Sequence, residues 1–93
     1  MIYAKKIKMN LDCQNSKEVT DINSIYVEGS FWETGWHTKG ELYDKIKDSG
    51  WVVKVGLDPF PTLVPALSKN YEKYVHSQPN GIEKDNLLEL DRV

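Results

Sequence analysis

The chain opens on an alternation. Ile2, Ala4, Ile7 and Met9 are apolar, and Tyr3 and the lysines fill the positions between them. Side chains point to opposite faces along a strand, so this stretch reads as a strand with one face on a core. The step from Ala4 to Ile7 is one residue too long for strict alternation, which predicts a bulge around Lys5-Lys6. Residues 10–17 are polar and turn-rich. A second strand is expected within 18–28, strongest over 22–27. Consecutive strands joined by a short polar segment usually neighbour each other, here antiparallel.

The period changes at Thr38. Leu42, Tyr43 and Ile46 recur at helical spacing, so 38–49 reads as the main helix. Thr38 and Glu41 make a capping box, hydroxyl to the amide of Glu41 and carboxylate back to the amide of Thr38. Lys45 and Lys47 sit late, where they suit the helix dipole, and Gly50 stands just past the end. Trp51-Val52-Val53-Lys54-Val55 follows as a β-branched strand. Pro59, Pro61 and Pro65 remove ladder donors, so any strand in 57–65 is an edge or broken one, with 62–64 its extended piece.

A closing strand comes next. Tyr71, Lys73 and Val75 share one side of it, and Glu72, Tyr74 and His76 the other. Pro79-Asn80-Gly81 supplies the turn that ends it. Asp85 can cap one short turn, and Leu87, Leu88 and Leu90 form an apolar hook. Burying a leucine is worth about 1.5–3 kcal/mol, against about 1–2 kcal/mol for ordering each backbone residue. Three leucines favour folding back on the core over serving as a docking motif. The pattern as a whole is α+β: a small antiparallel or mixed sheet of roughly four or five strands, the main helix packed on one face, and the C-terminal hook.

Residues 29–37 break both periods. Phe31, Trp32 and Trp36 cluster there with Gly29, Ser30, Thr34 and Gly35. Aromatic rings bury large areas, so the favoured expectation is a loop that caps the core, with Trp36 and Phe31 inside rather than Trp32. The alternative is a platform for a ligand or for stacked bases.

Composition narrows the function classes. The 93 residues form one domain, 1–93, with 12 basic and 14 acidic side chains. That balance argues against a chain whose main task is gripping nucleic-acid backbone, though it leaves room for a local basic patch. Cys13 is the single cysteine, so no internal disulfide forms; it reads as an inert loop thiol. With His37 and His76 the only histidines, no structural metal site and no cofactor are expected. No apolar run reaches the roughly 20 residues of a membrane span, and the N-terminal lysines precede no apolar signal region. The expectation is a soluble, cytoplasmic protein.

Some of these residues carry a resemblance. Thr38-Lys39-Gly40-Glu41-Leu42 opening a helix, Gly50 before a strand, Lys73-Tyr74-Val75-His76-Ser77, and Asp85-Asn86-Leu87-Leu88-Glu89-Leu90 together resemble the DUF3892 family, small bacterial and phage-associated proteins of unknown function. The last string is the most specific part. Asp91 stands where that family has proline, and the proline-rich 57–65 segment is not typical of it. The resemblance implies a fold and a bacterial or phage origin, and it carries over no catalytic residue.

Enzyme constellations are missing from the sequence: no phosphate-cradling glycine loop, no metal-ligand spacing, no nucleophile elbow. His37, His76 and Asp85 are candidate acid–base groups that nothing local brings together, so His37 reads as a surface or capping residue and His76 as a strand residue on the solvated face. The function expected is therefore a non-catalytic interaction module. It engages a protein partner through Trp32, Trp36, Tyr74 and His76, since Trp and Tyr are enriched among interface hot spots. The alternative is a single-stranded nucleic-acid binder that stacks bases on the same aromatics beside Lys5, Lys6, Lys8, Lys73 and Arg92. An exposed edge around 61–65 suits a monomer or a weak homodimer.

Overall fold

Alternation in the first strand is what places the core. The structure, a computed structural model, describes residues 1–78 and 85–93. In chain order its elements are β1 (Ile2–Met9), β2 (Ile22–Glu28), β3 (Gly35–Thr38), α1 (Lys39–Asp48), β4 (Val53–Val55), β5 (Leu63–Leu67), β6 (Lys73–Ser77) and β7 (Asp91–Arg92), with 3₁₀ turns at Val19–Asp21 and Asn86–Glu89. β1 buries Ile2, Ala4, Ile7 and Met9, and its antiparallel register against β2 slips between Ala4 and Lys6. Lys5 is thus the extra residue of the expected bulge.

The main sheet is mixed and five-stranded, in the order β3-β2-β1-β4 with β7 also on β1. β4 and β7 share one edge of β1 in succession. β4 runs parallel to Ile2, Tyr3 and Ala4, and β7 runs parallel to Lys6 and Ile7. The bulge lies where one partner strand hands over to the other. Gly56 holds β4 close: its N–H donates to the Ala4 carbonyl at 2.9 Å, and a Cβ there would stand 2.9 Å from that same oxygen.

β5 and β6 form a separate antiparallel hairpin. The proline-rich segment explains the separation. Among the described residues, the bridge of Lys54 to Thr62 and a bond from Val55 N–H to the Pro61 carbonyl are the backbone links of β4 to this region, because Pro61 and Pro65 have no N–H to extend a ladder. β5 runs on through residues 66 and 67, beyond the 62–64 piece expected. Tyr71 is not strand; it has φ +61 in the hairpin turn.

The helix behaves as its caps predict. Thr38 Oγ1 accepts from the Glu41 N–H at 3.1 Å, and Glu41 Oε1 accepts from the Thr38 N–H at 3.2 Å. Gly50 has φ +70, the left-handed conformation that favours glycine after a helix end. Leu42 and Tyr43 are buried and Ile46 is partly so. The helix packs on the hairpin as well as on the main sheet, and Lys73 Nζ reaches Asp44 at 2.7 Å to tie β6 to it.

The tail closes the core as expected. Leu87 and Leu90 are buried, and Leu88 packs against them from the edge. Asp85 clips this hook to β6: its carboxylate accepts from the Ser77 N–H, the Ser77 hydroxyl at 2.8 Å and the Leu87 N–H at 2.9 Å. The turn expected at Pro79-Asn80-Gly81 lies outside the described residues. No helix of the described residues is long and apolar enough to cross a membrane, which says nothing of barrels.

Candidate functional site

The aromatic segment is outside the core, and this corrects the core-capping expectation. Phe31 is 96% exposed, Trp32 75% and Trp36 44%. Two physical facts account for it. First, the core is already filled by the inward rows of both sheets, by Leu42 and Tyr43, and by Leu87 and Leu90 of the tail. Second, Trp36 lies on a strand rather than in a loop. β3 pairs Trp36 with Tyr26 and His37 with Ile25. Ile25 faces the core, so alternation turns His37 inward and Trp36 outward.

Residues 29–34 form a turn closed by its own hydrogen bonds. Glu33 N–H and Thr34 N–H both donate to the Ser30 carbonyl, at 2.9 and 3.0 Å. Ser30 N–H donates to Glu33 Oε1 at 2.7 Å, and Gly29 N–H donates to Thr34 Oγ1 at 3.1 Å. His37 Nε2–H donates to the Glu33 carbonyl at 2.9 Å, bracing the turn from the strand below. Phe31 and Trp32 stand on this braced turn, exposed to solvent.

Trp36 belongs to a different surface, the open face of the main sheet. Across the strands run Lys6, Tyr26 and Trp36 in one row and Lys8, Ser24 and Thr38 in the next. The Tyr26 and Trp36 rings meet edge to face with centroids 5.5 Å apart, and Lys6 Nζ lies 5.5 Å from the Tyr26 centroid. A shallow, open depression of about 210 Å³ over the small side chain of Ser24 is lined by Lys8, Ser24, Trp36 and Val93. Towards the other end of β1, Tyr3 meets Phe60 edge to face at 6.1 Å.

Tyr74 and His76 are brought together, and not with the tryptophans. They lie two residues apart on the outer face of β6, half-buried, with ring centroids 6.2 Å apart. His76 Nδ1–H donates to the Ser77 carbonyl at 3.0 Å. The four residues expected to form one surface therefore occupy three: Trp32 on the turn, Trp36 on the main sheet, Tyr74 with His76 on the hairpin.

The candidate acid–base groups stay apart too. His37 is half-buried rather than fully at the surface. It packs edge to face on Trp51 at 5.6 Å, and its buried Nδ1 has no hydrogen-bond partner among the described residues, with Glu41 Oε2 3.9 Å away. Asp85 is occupied by the tail clip. Among the described residues no three of His, Cys, Asp and Glu stand together as metal ligands.

The family model for a protein of unknown function (DUF3892) matches residues 3–91. The chain belongs to the DUF3892 family. The match covers the bulged first strand as well as the helix and tail that carry the resemblance, so DUF3892 describes the whole domain. No curated protein and no solved structure matches it. The structure also accounts for the Asp-Asn-Leu-Leu-x-Leu string of this DUF3892 chain. Asp85 is the clip, Asn86 is buried with its N–H on Ser77 Oγ, and Leu87 and Leu90 fill the core. That string is used in folding.

The sequence joined Lys5, Lys6 and Lys8 to Trp36 in the stacking alternative, but together with Trp32, Tyr74, His76, Lys73 and Arg92, and it left out Ser24, Tyr26 and Lys54. The signal for the open face was the position of its residues opposite the apolar ones in paired strands, but joining them into one surface requires the register and the bulge.

Proposed function

We propose that this DUF3892 protein is a non-catalytic binding module that docks Phe31 and Trp32 into an apolar cleft of a protein partner. The observation that carries this reading is the pairing of near-complete exposure with a braced turn. An apolar side chain so exposed contributes little to its own fold. A turn already held by backbone and side-chain hydrogen bonds loses little conformational freedom on binding, which is the cost that usually weakens association. Aromatic anchors of this kind dominate interface energetics. Trp36, Tyr74 and His76 lie on other surfaces and are not part of this contact.

The test is affinity capture with the tagged chain and its Phe31→Ala/Trp32→Ala variant, from nuclease-treated extract of the source cells. A stoichiometric protein partner held by the parent chain and lost by the variant is the expected result. Equal recovery by both, with both folded, contradicts the reading.

A further inference from the structure

The open face of the main sheet carries a second surface, separate from the aromatic turn. We propose that it binds single-stranded nucleic acid, with Trp36 stacking a base and Lys5, Lys6, Lys8 and Lys54 holding phosphates.

Charge is the first argument. Lys6 and Lys8 stand on this face by register, and Lys54 stands on it as the cross-strand partner of Tyr3. Lys5 is the bulge residue, exposed beside Lys6. Among the described residues, the carboxylates that strand register places on this face are Glu28, opposite Tyr3, and Asp91, opposite Lys6. The face thus holds a surplus of cations on a chain whose net charge is −2. Lys39 is spent on Glu72 and Lys73 on Asp44, whereas Lys5, Lys6, Lys8 and Lys54 make no ion pair among the described residues. An unpaired cation keeps its attraction for a phosphate; a paired one has to give up its partner first.

Arrangement is the second argument. Lys6 and Lys8 are two residues apart on one strand, about 6.8 Å, a step that an extended single strand also makes between phosphates. Beside this lysine row, across β2, stands Trp36, braced by Tyr26 and still 44% exposed, with the depression over Ser24 next to it. A sheet that offers an aromatic ring at one side of a lysine row fits bases on one side of a backbone. Base–aromatic stacking tolerates any base, because every base has a π-face. A flat face of this kind takes a single strand and lacks the helix or ribbon that would enter a duplex groove.

The test is fluorescence anisotropy of a labelled twelve-residue oligo-dT, titrated with the full chain at two or more salt concentrations. Saturable binding is expected, with log affinity falling against log salt with a slope of about −2 to −3, since single strands give about −0.7 for each phosphate neutralised. Lys6→Gln/Lys8→Gln should make that slope shallower by about 1.4. Trp36→Ala should weaken binding about five- to 150-fold at fixed salt, the range set by stacking one base. Circular dichroism of each variant checks folding, and the lysine variant lies outside the core altogether. Phe31→Ala/Trp32→Ala should bind oligo-dT as the parent does, which separates this surface from the protein-docking turn. Absence of saturable binding at low salt overturns the proposal. So does binding unchanged in both the lysine and Trp36 variants. So does displacement of oligo-dT by poly-glutamate at equal charge concentration, because the face would then be reading negative charge alone, as on an acidic protein.

Discussion

Replacing Asp85 by alanine tests whether the tail is clipped to the body of the domain through one side chain. The carboxylate accepts from the Ser77 N–H at 3.0 Å, the Ser77 hydroxyl at 2.8 Å and the Leu87 N–H at 2.9 Å. The Leu87 bond is the cap of the last 3₁₀ turn, and a lost cap costs about 0.5–2 kcal/mol. A hydrogen bond to a charged group is worth about 1.5–3 kcal/mol net, and Ser77 is buried, so water does not replace the acceptor for its amide. These contributions overlap, and removing the partly buried carboxylate recovers some desolvation, so Asp85→Ala should cost about 3 kcal/mol. A domain of this size holds about 5–14 kcal/mol in all. The melting temperature should fall by about 12–24 °C, at about 4–8 °C per kcal/mol. Urea unfolding followed by circular dichroism measures it. Asp85→Asn keeps one oxygen for the Leu87 amide and should lose roughly half as much. A double-mutant cycle with Ser77→Ala should show a coupling of about 1 kcal/mol or more. A loss under about 1 kcal/mol for Asp85→Ala, with no coupling to Ser77, would refute the clip.

Three further outcomes follow from other parts of the molecule. Gly50→Ala should destabilise by about 1–2 kcal/mol through backbone conformation alone, since Gly50 has φ +70 and a Cβ there meets nothing within 4 Å; an unchanged urea midpoint contradicts this. The hydrogen bond from Lys73 to Asp44, and then the charge of Asp44, raise the Lys73 pKa above its ordinary 10.5. That pair's contribution is fully present below 10.5 and is lost as pH rises through the folded value, so the melting difference between the parent chain and Asp44→Asn should be flat from neutral pH to about 10 and shrink above it. Lys6→Gln/Lys8→Gln should change stability by no more than about 1 kcal/mol, because both side chains are exposed and free of ion pairs among the described residues, and the contact of Lys6 Nζ with the Tyr26 ring is worth about that at an exposed site; a larger loss in thermal unfolding would give those lysines a structural role.

Local signals in the sequence carried the parts of the fold that depend on neighbours. Thr38, Glu41 and Gly50 bracket the helix through bonds and backbone angles that act within a few residues. The spacing of Ala4 and Ile7 reported the bulge because a single extra residue shifts a period of two. The leucine hook was legible because apolar groups near a chain end have few ways to leave water. What depended on distant partners was harder. β3 is a four-residue strand, Gly35-Trp36-His37-Thr38, too short to show alternation, so Trp36 read as loop and its outward direction became visible only through its pairing with Tyr26. The same pairing turns His37 inward onto Trp51, against the surface position expected for it. The prolines correctly signalled a broken edge, but not that the break would set β5 and β6 apart as a hairpin and carry Tyr74 and His76 away from the tryptophans. Phe31 was misread for a different reason: burial is the usual fate of such a ring, and a core already filled by the two sheets, the helix and the tail leaves it outside.

The central claim is that the rings of the aromatic turn serve recognition and not the fold. The unfolding free energy of Phe31→Ala/Trp32→Ala tests it most directly. The expected value lies within about 0.5 kcal/mol of the parent chain, as for exposed positions. A loss of about 3 kcal/mol or more, the usual consequence of truncating a buried aromatic, would return both rings to the core and contradict the claim.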